Sequence, residues 1–171
     1  MLYSLPSAAG YQLAGLKTLL LAPWSGVALY AYATAACSQI TNFSGLTGWE
    51  YVSCEPGAGG EFGQASTKTK NGNAYAQAVN VTLSGLSADR RTAVEALLEA
   101  GPVVALCQDF TGQWWLYGQT AGLRLLTVSP KSGEMAQTLA LTGTQRAAAR
   151  TVAQSRLNLL YNSSTLFHLP S

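Results

Sequence analysis

The chain has 171 residues, with ten Lys and Arg against eight Asp and Glu and a formal net charge of +2. That balance is too small and too scattered for a nucleic-acid footprint, which needs a basic stripe. Charged residues make up only 11% of the chain, against about 25% in an ordinary soluble domain, so a monomer would expose much neutral surface and tend to associate.

The length suits one domain, residues 1–171, with a full-sized core. Cys37, Cys54 and Cys107 are odd in number and lack CxxC spacing, which favours structural thiols in a reducing compartment over a disulfide framework or a metal site. His168 is the single histidine, so a zinc site is not expected. Asn42, Asn80 and Asn162 each open an Asn-x-Ser/Thr triplet, but no secretory signal accompanies them and they carry no weight.

In chain order, residues 1–12 read as a terminal arm, with Pro6 and no basic n-region. The stretch from Thr18 to Trp49 carries no charge. Pro23, Ser25, Gly26, Ser38, Gln39 and Asn42 break its apolar pieces, so no membrane insertion is expected. A buried strand is predicted near Leu13 to Ala22, followed by a long neutral loop to about Gly48. Such a loop is rare in a compact domain unless it packs on something, and a neighbouring subunit would serve. Trp49 to Cys54 reads as a short strand. Pro56 to Gly60 is a flexible connection, and without a GK[ST] ending or a following helix it is no phosphate loop.

Residues 61–85 are predicted to form one long β-hairpin turning at Lys70-Asn71-Gly72-Asn73, because Asn-Gly tolerates positive φ at both central positions. In its second arm Tyr75, Gln77, Val79, Val81 and Leu83 share one face, and Ala74, Ala76, Ala78, Asn80, Thr82 and Ser84 the other. A helix over about 87–100 follows. Ser87 is its N-cap, Asp89 lies in its first turn, and Gly101-Pro102 ends it. Val94, Leu97 and Leu98 form its apolar stripe for the core. Val103 to Phe110 and Trp114 to Tyr117 read as two strands around Thr111-Gly112. Leu123 to Val128 is a further strand, Ser129 to Glu134 a polar loop, and Met135 to Gly143 an alternating strand. Thr144 to Leu160 stays open between helix and extended chain, and residues from about 145 to 171 read as a C-terminal extension. The fold class is therefore mainly β: an antiparallel sandwich or barrel with one packed helix and a long hairpin.

No catalytic constellation assembles. His168 lies in a tail, away from any nucleophile. Glu50 and Glu55 fall on opposite faces of an extended segment, and Glu95 and Glu99 sit one turn apart on the solvent side of the helix. Asp109 is explained by turn chemistry. Trp114 and Trp115, with Tyr117, would serve a sugar- or base-stacking surface. Alternation instead puts one tryptophan in the core and the other on the opposite surface, where a subunit contact fits. The chain is expected to be neither an enzyme nor dependent on a cofactor.

The order of these elements resembles the small tail-structure proteins of tailed bacteriophages, in particular tail-tube subunits. The likeness rests on Gly15 to Leu19, the extended pair about Lys70-Asn71-Gly72-Asn73 leading into Val79-Asn80-Val81-Thr82-Leu83, and the helix opening at Leu86-Ser87. It continues through Val103 to Leu106, the Asp109 to Tyr117 hairpin with its Trp pair, and Thr138-Leu139-Ala140-Leu141-Thr142-Gly143. It covers roughly residues 13–145 and contains no invariant motif. The resemblance implies a homo-oligomeric ring, usually hexameric. Rings would stack with other tail proteins into a tube that conducts DNA without sequence-specific binding, in the tail of a virion made in the host cytoplasm. Ala74, Ala76, Ala78, Asn80, Thr82 and Ser84 are then candidates for the lumen. Lys68 and Lys70 would meet acidic groups of the next ring, with Glu50, Glu55 and Glu61 as candidates. Two other readings stay open: another ring of such a particle (terminator, connector or baseplate), and a monomeric ligand- or carbohydrate-binding β-sandwich.

Overall fold

The structure, a computed structural model, describes residues 15–24, 30–32, 39–43, 50–53, 60–84, 101–131 and 136–153, together with Thr92, Glu95, Ala96 and Glu99. Its described part is mainly β. The strands are β1 (Leu16–Pro23), β2 (Tyr30–Tyr32), β3 (Gln39–Phe43), β4 (Glu50–Ser53), β5 (Glu61–Thr69), β6 (Gly72–Ser84), β7 (Val103–Asp109), β8 (Trp114–Tyr117), β9 (Arg124–Lys131), β10 (Ala136–Gln145) and β11 (Arg150–Val152). They form a seven-stranded sheet in the order β2-β3-β11-β8-β7-β1-β4 and a four-stranded sheet in the order β5-β6-β10-β9.

One apolar cluster joins the two sheets. The larger sheet contributes Leu16, Leu19, Leu21, Val103, Ala105, Cys107 and Tyr117, and the smaller contributes Val79, Val81, Leu139 and Leu141, with Leu123 between them. Phe62 of β5 meets Tyr117 edge-on, with ring centres 5.6 Å apart. The alternation in β6 explains its part: Gln77, Val79 and Val81 are buried, while Ala76 is exposed and Ala78, Asn80 and Thr82 are half-buried.

The central strands β1, β7 and β8 of the larger sheet are buried on both faces. Leu20, Ala22, Val104, Leu106, Trp114 and Leu116 point away from the four-stranded sheet and are all at most 4% exposed. A strand with no solvent side gains nothing from alternation, so β1 and β7 carry the continuous runs Leu19-Leu20-Leu21-Ala22 and Val103-Val104-Ala105-Leu106-Cys107. A register shift between Leu16 and Thr18 lets Lys17 stay exposed beside this buried run.

Several sequence expectations change. The neutral stretch expected to be a loop contains β2 and β3, which pair with each other. Pro130 and Lys131, expected in a loop, extend β9. β9 lies at the edge of its sheet, where the missing proline N–H leaves no gap in a ladder. The ambiguous stretch after Thr144 enters the larger sheet as β11, parallel to β3 at Thr151↔Gln39 and antiparallel to β8. At the other end of β6, Thr69 pairs with Gly72, so Lys70 and Asn71 occupy the turn, and Gly72, with φ 114°, flanks it.

Thr92, Glu95, Ala96 and Glu99 are helical and exposed, at a spacing that marks one solvent face. Val94, Leu97, Leu98, the cap at Ser87, the arm 1–12 and the tail from 154 onward lie outside the described residues.

Candidate interaction surface

The outer face of the four-stranded sheet is built from small side chains in register. Ala76 lies between Ala65 of β5 and Thr144 of β10, and Ala78 between Gly63 and Thr142. Asn80 lies between Glu61 and Ala140, and Thr82 is opposite Thr138. Two polar contacts lie on it. Asn80 Nδ2 donates to Glu61 Oε1 at 2.9 Å, and the Thr82 and Thr138 hydroxyls lie 3.4 Å apart. The predicted six-residue row of β6 is thus one line of a wider surface of mostly small side chains that continues on β5 and β10, with the charged Glu61 on β5 and exposed Arg124 of β9 opposite Thr142 at its margins. Ser84 ends β6.

Lys68 and Lys70 are exposed at the turn end of β5, and exposed Glu61 opens the same strand. Seven residues of extended chain separate Lys68 from Glu61 by roughly 23 Å, so the two cannot meet within one chain. Glu50 pairs in register with Leu21 at the start of β4, at the edge of the larger sheet. Glu55 lies outside the described residues. Near the turn, Thr69, Asn71, Asn73, Ala74, Thr144, Gln145 and Arg146 line an open groove of about 690 Å³.

The inner face of this sheet ends in glutamines rather than aliphatic side chains. Gln77 is 2% exposed; its Oε1 accepts from Gly118 N at 2.9 Å and its Nε2 donates to Ala147 O at 3.3 Å. Beside it, Gln64 Oε1 accepts from Ala149 N at 2.8 Å. Gln145 is 1% exposed. Its Oε1 accepts from Thr120 N, Thr120 Oγ1 and Ala121 N, and its Nε2 donates to Gly122 O at 2.7 Å. Thr120 Oγ1 in turn accepts from Arg146 N at 3.0 Å. Together these amides tie the four-stranded sheet to the turn 118–122 and to the segment leading into β11. Gly122 is needed there: its φ is +72° and a Cβ would lie 2.5 Å from Pro102 Cβ. The alternation of β6 places Gln77 on the core face, and nothing in the sequence around Gln145 marks it out. Glutamine alone does not reveal whether its partners are water or distant backbone.

The aromatic pair is internal. Trp114 is 2% exposed on the face turned away from the smaller sheet. Half-buried Trp115 packs on the shared core, and its Nε1 donates to Asp109 Oδ2 at 3.2 Å. The expected outward-facing tryptophan is therefore covered within the chain, and neither ring, nor buried Tyr117, forms an open stacking platform.

Asp109 closes the β7–β8 turn as expected from its position. Its Oδ1 accepts from Thr111 N and Gln113 N, each at 2.9 Å, and from Thr111 Oγ1. Partial burial pushes its pKa up, but the bonds from Thr111, Trp115 and Gln113 outweigh this and hold it below the ordinary value. Asp109 thus contributes stability in full above the ordinary carboxylate range, and this is lost as pH falls through its lowered folded value. D109A should lower stability by about 1–2 kcal/mol at neutral pH. The deficit should shrink in acid, as read by urea unfolding across pH; a deficit that is constant or grows in acid would contradict the assignment. Burial, with a smaller contribution from Cys107, pushes the Tyr117 hydroxyl well above its usual range.

Among the described residues no group of three or more His, Cys, Asp or Glu side chains could hold a metal ion, and no helix is long and apolar enough to cross a membrane. No known protein family, no curated protein and no solved structure matches the chain.

Proposed function

We propose that this chain is a structural subunit of a phage tail tube, forming stacked, hexameric rings around a DNA-conducting channel. In this reading the two sheets are the layers of a sandwich. The helix near 87–100 packs on it, and the β5–β6 pair is the long hairpin of the subunit. The observation that carries the reading is the outer face of the four-stranded sheet. Gly63, Ala65, Ala76, Ala78, Ala140, Thr138 and Thr142 give it small, uncharged side chains across three strands. A core face would be bulkier, and an ordinary solvent face would carry more charge.

A channel for DNA has a particular requirement. Each cationic contact with a phosphate adds a salt-dependent binding term and slows passage. A small neutral lining made by Ala74, Ala76, Ala78, Asn80, Thr82 and Ser84 meets it without sequence-specific contact. The overall shortage of charge suits a surface mostly covered by ring and stacking contacts. Lys68 and Lys70, too far from Glu61 of their own chain, are assigned to Glu50, Glu55 or Glu61 of the neighbouring ring. The chain performs no chemistry in this role, takes no cofactor, and works with other tail proteins in the virion.

Electron microscopy of the purified chain, with light scattering at micromolar concentration and with a tail-tip complex as nucleator, tests this. Rings or tubes with the small-residue face toward the channel are expected. Rings that close but never stack would transfer the chain to a terminator, connector or baseplate role. A persistent monomer with the nucleator present would overturn the reading in favour of a binding module. If the face carrying Ala76 and Ala78 lay outside the tube, the lumen assignment would fail even with the ring intact.

A further inference from the structure

Asn71 and Arg146 lie far apart along the chain and line the same groove beside the β5–β6 turn. Both are exposed. Among the described residues no hydrogen bond holds the Asn71 amide and no ion pair engages the Arg146 guanidinium; only the Arg146 backbone N–H is bonded. Gly72 follows Asn71 with φ 114°, and a Cβ built on it would meet no atom within 4 Å. No side chain shields its backbone nitrogen, and the missing Cβ lets the peptide between the two residues rotate.

This is the combination by which an asparagine is attacked from its own backbone. Once the Gly72 N–H gives its proton to solvent, the nitrogen adds to Asn71 Cγ. A new C–N bond closes a five-membered imide, and the side-chain nitrogen takes a proton from water and leaves as ammonia. Water then opens the imide. Breaking the bond from the nitrogen to Cγ gives aspartate. Breaking the bond to the main-chain carbonyl gives isoaspartate, with an extra methylene in the backbone. No oxidant, reductant or cofactor enters. Lys70 beside the site and Arg146 on the groove favour the negative charge that builds on the nitrogen and remains on the product. The other asparagines of the described residues lack this combination. Asn42, Asn73 and Asn80 lie inside β3 and β6 and precede Phe43, Ala74 and Val81, whose Cβ atoms crowd the attacking nitrogen. The Asn80 amide is also held by Glu61.

We propose that Asn71 is a self-modifying site, where deamidation places a carboxylate in the groove and pairs it with Arg146. A free cation then becomes half of an ion pair, and isoaspartate also lengthens the turn between the paired residues Thr69 and Gly72. The inference concerns the free chain and does not depend on the tube reading.

Incubation of the whole chain in mildly alkaline buffer, with peptide mapping by mass spectrometry at intervals, tests the site. Acid should accumulate at Asn71 several-fold faster than at Asn42, Asn73 or Asn80, with isoaspartate detected by enzymatic methyl labelling. N71Q keeps an amide but would have to close a larger ring, so its position 71 should stay unmodified while the other three asparagines keep their rates. Equal rates at the four asparagines of the folded chain would overturn the proposal. So would loss of ammonia from N71Q at the rate of the unaltered chain. N71D tests the pairing. Its carboxyl, followed by NMR, should titrate below the ordinary carboxylate range, and adding R146A should move it back toward that range. A titration that R146A leaves in place would overturn the assignment of Arg146 as partner.

Discussion

Replacing Gln145 by Leu is expected to lower stability by about 3–5 kcal/mol, more than most surface or half-buried polar changes. The side chain is 1% exposed and serves the N–H groups of Thr120 and Ala121, the Thr120 hydroxyl and the Gly122 carbonyl. A leucine keeps much of the volume but removes four hydrogen bonds at once and leaves the carbonyl of buried Gly122 without its donor. The change also removes the acceptor that orients the Thr120 hydroxyl, and with it the contact to Arg146 N. Urea unfolding of Q145L measures the loss. Arg146→Ala, an exposed change next door that keeps its backbone N–H, should remain within about 0.5 kcal/mol. If Q145L were no worse than that neighbour, the amide cluster would not be what holds the 118–122 turn to the four-stranded sheet.

The second large effect lies on the far face of the seven-stranded sheet. Leu106 is fully buried between Leu20 and Leu116 in the register of β1, β7 and β8. Leu106→Asp should cost several kcal/mol at neutral pH and leave little folded chain, because an unpaired carboxylate is placed where no water reaches it. The loss has a direction with pH. Burial raises the folded pKa of the introduced carboxyl above its unfolded value, so the penalty is complete above that raised pKa and shrinks as pH falls toward the ordinary carboxylate range. Circular dichroism across pH reads both features. Lys17→Asp, on the exposed bulge of β1, controls for charge alone. A well-folded L106D at neutral pH would mean that this face is open in the free chain and covered only by a partner.

Both predictions rest on features that stand at different distances from the sequence. The two-period alternation of β6 and the continuous apolar runs of β1 and β7 come from local patterning, which reports how many faces of a strand are dry. That is why the mainly β class, most strand positions and the small-residue face of β6 could be read from residue order. The Asp109 turn was legible for the same reason, since its partners Thr111, Gln113 and Trp115 lie within six residues.

What depends on partners far along the chain was not legible. Gln77 reaches Gly118 and Ala147, Gln64 reaches Ala149, and Gln145 reaches back to residues 120–122. Nothing near these glutamines distinguishes a buried clamp from a solvated amide. β11 is three residues long, and its place between β3 and β8 is decided by pairing partners more than thirty residues earlier. Trp114 followed the alternation correctly, yet its outward face proved to be a second interior, because alternation tells which side a residue takes and not what covers that side. The sequence by itself thus determined strand content, the neutral character of one sheet face and the shortage of charge. Only the tertiary structure decided the strand order, the burial of both faces of β1, β7 and β8, and the glutamine seam, since each is set by non-local pairing that no window of residues contains.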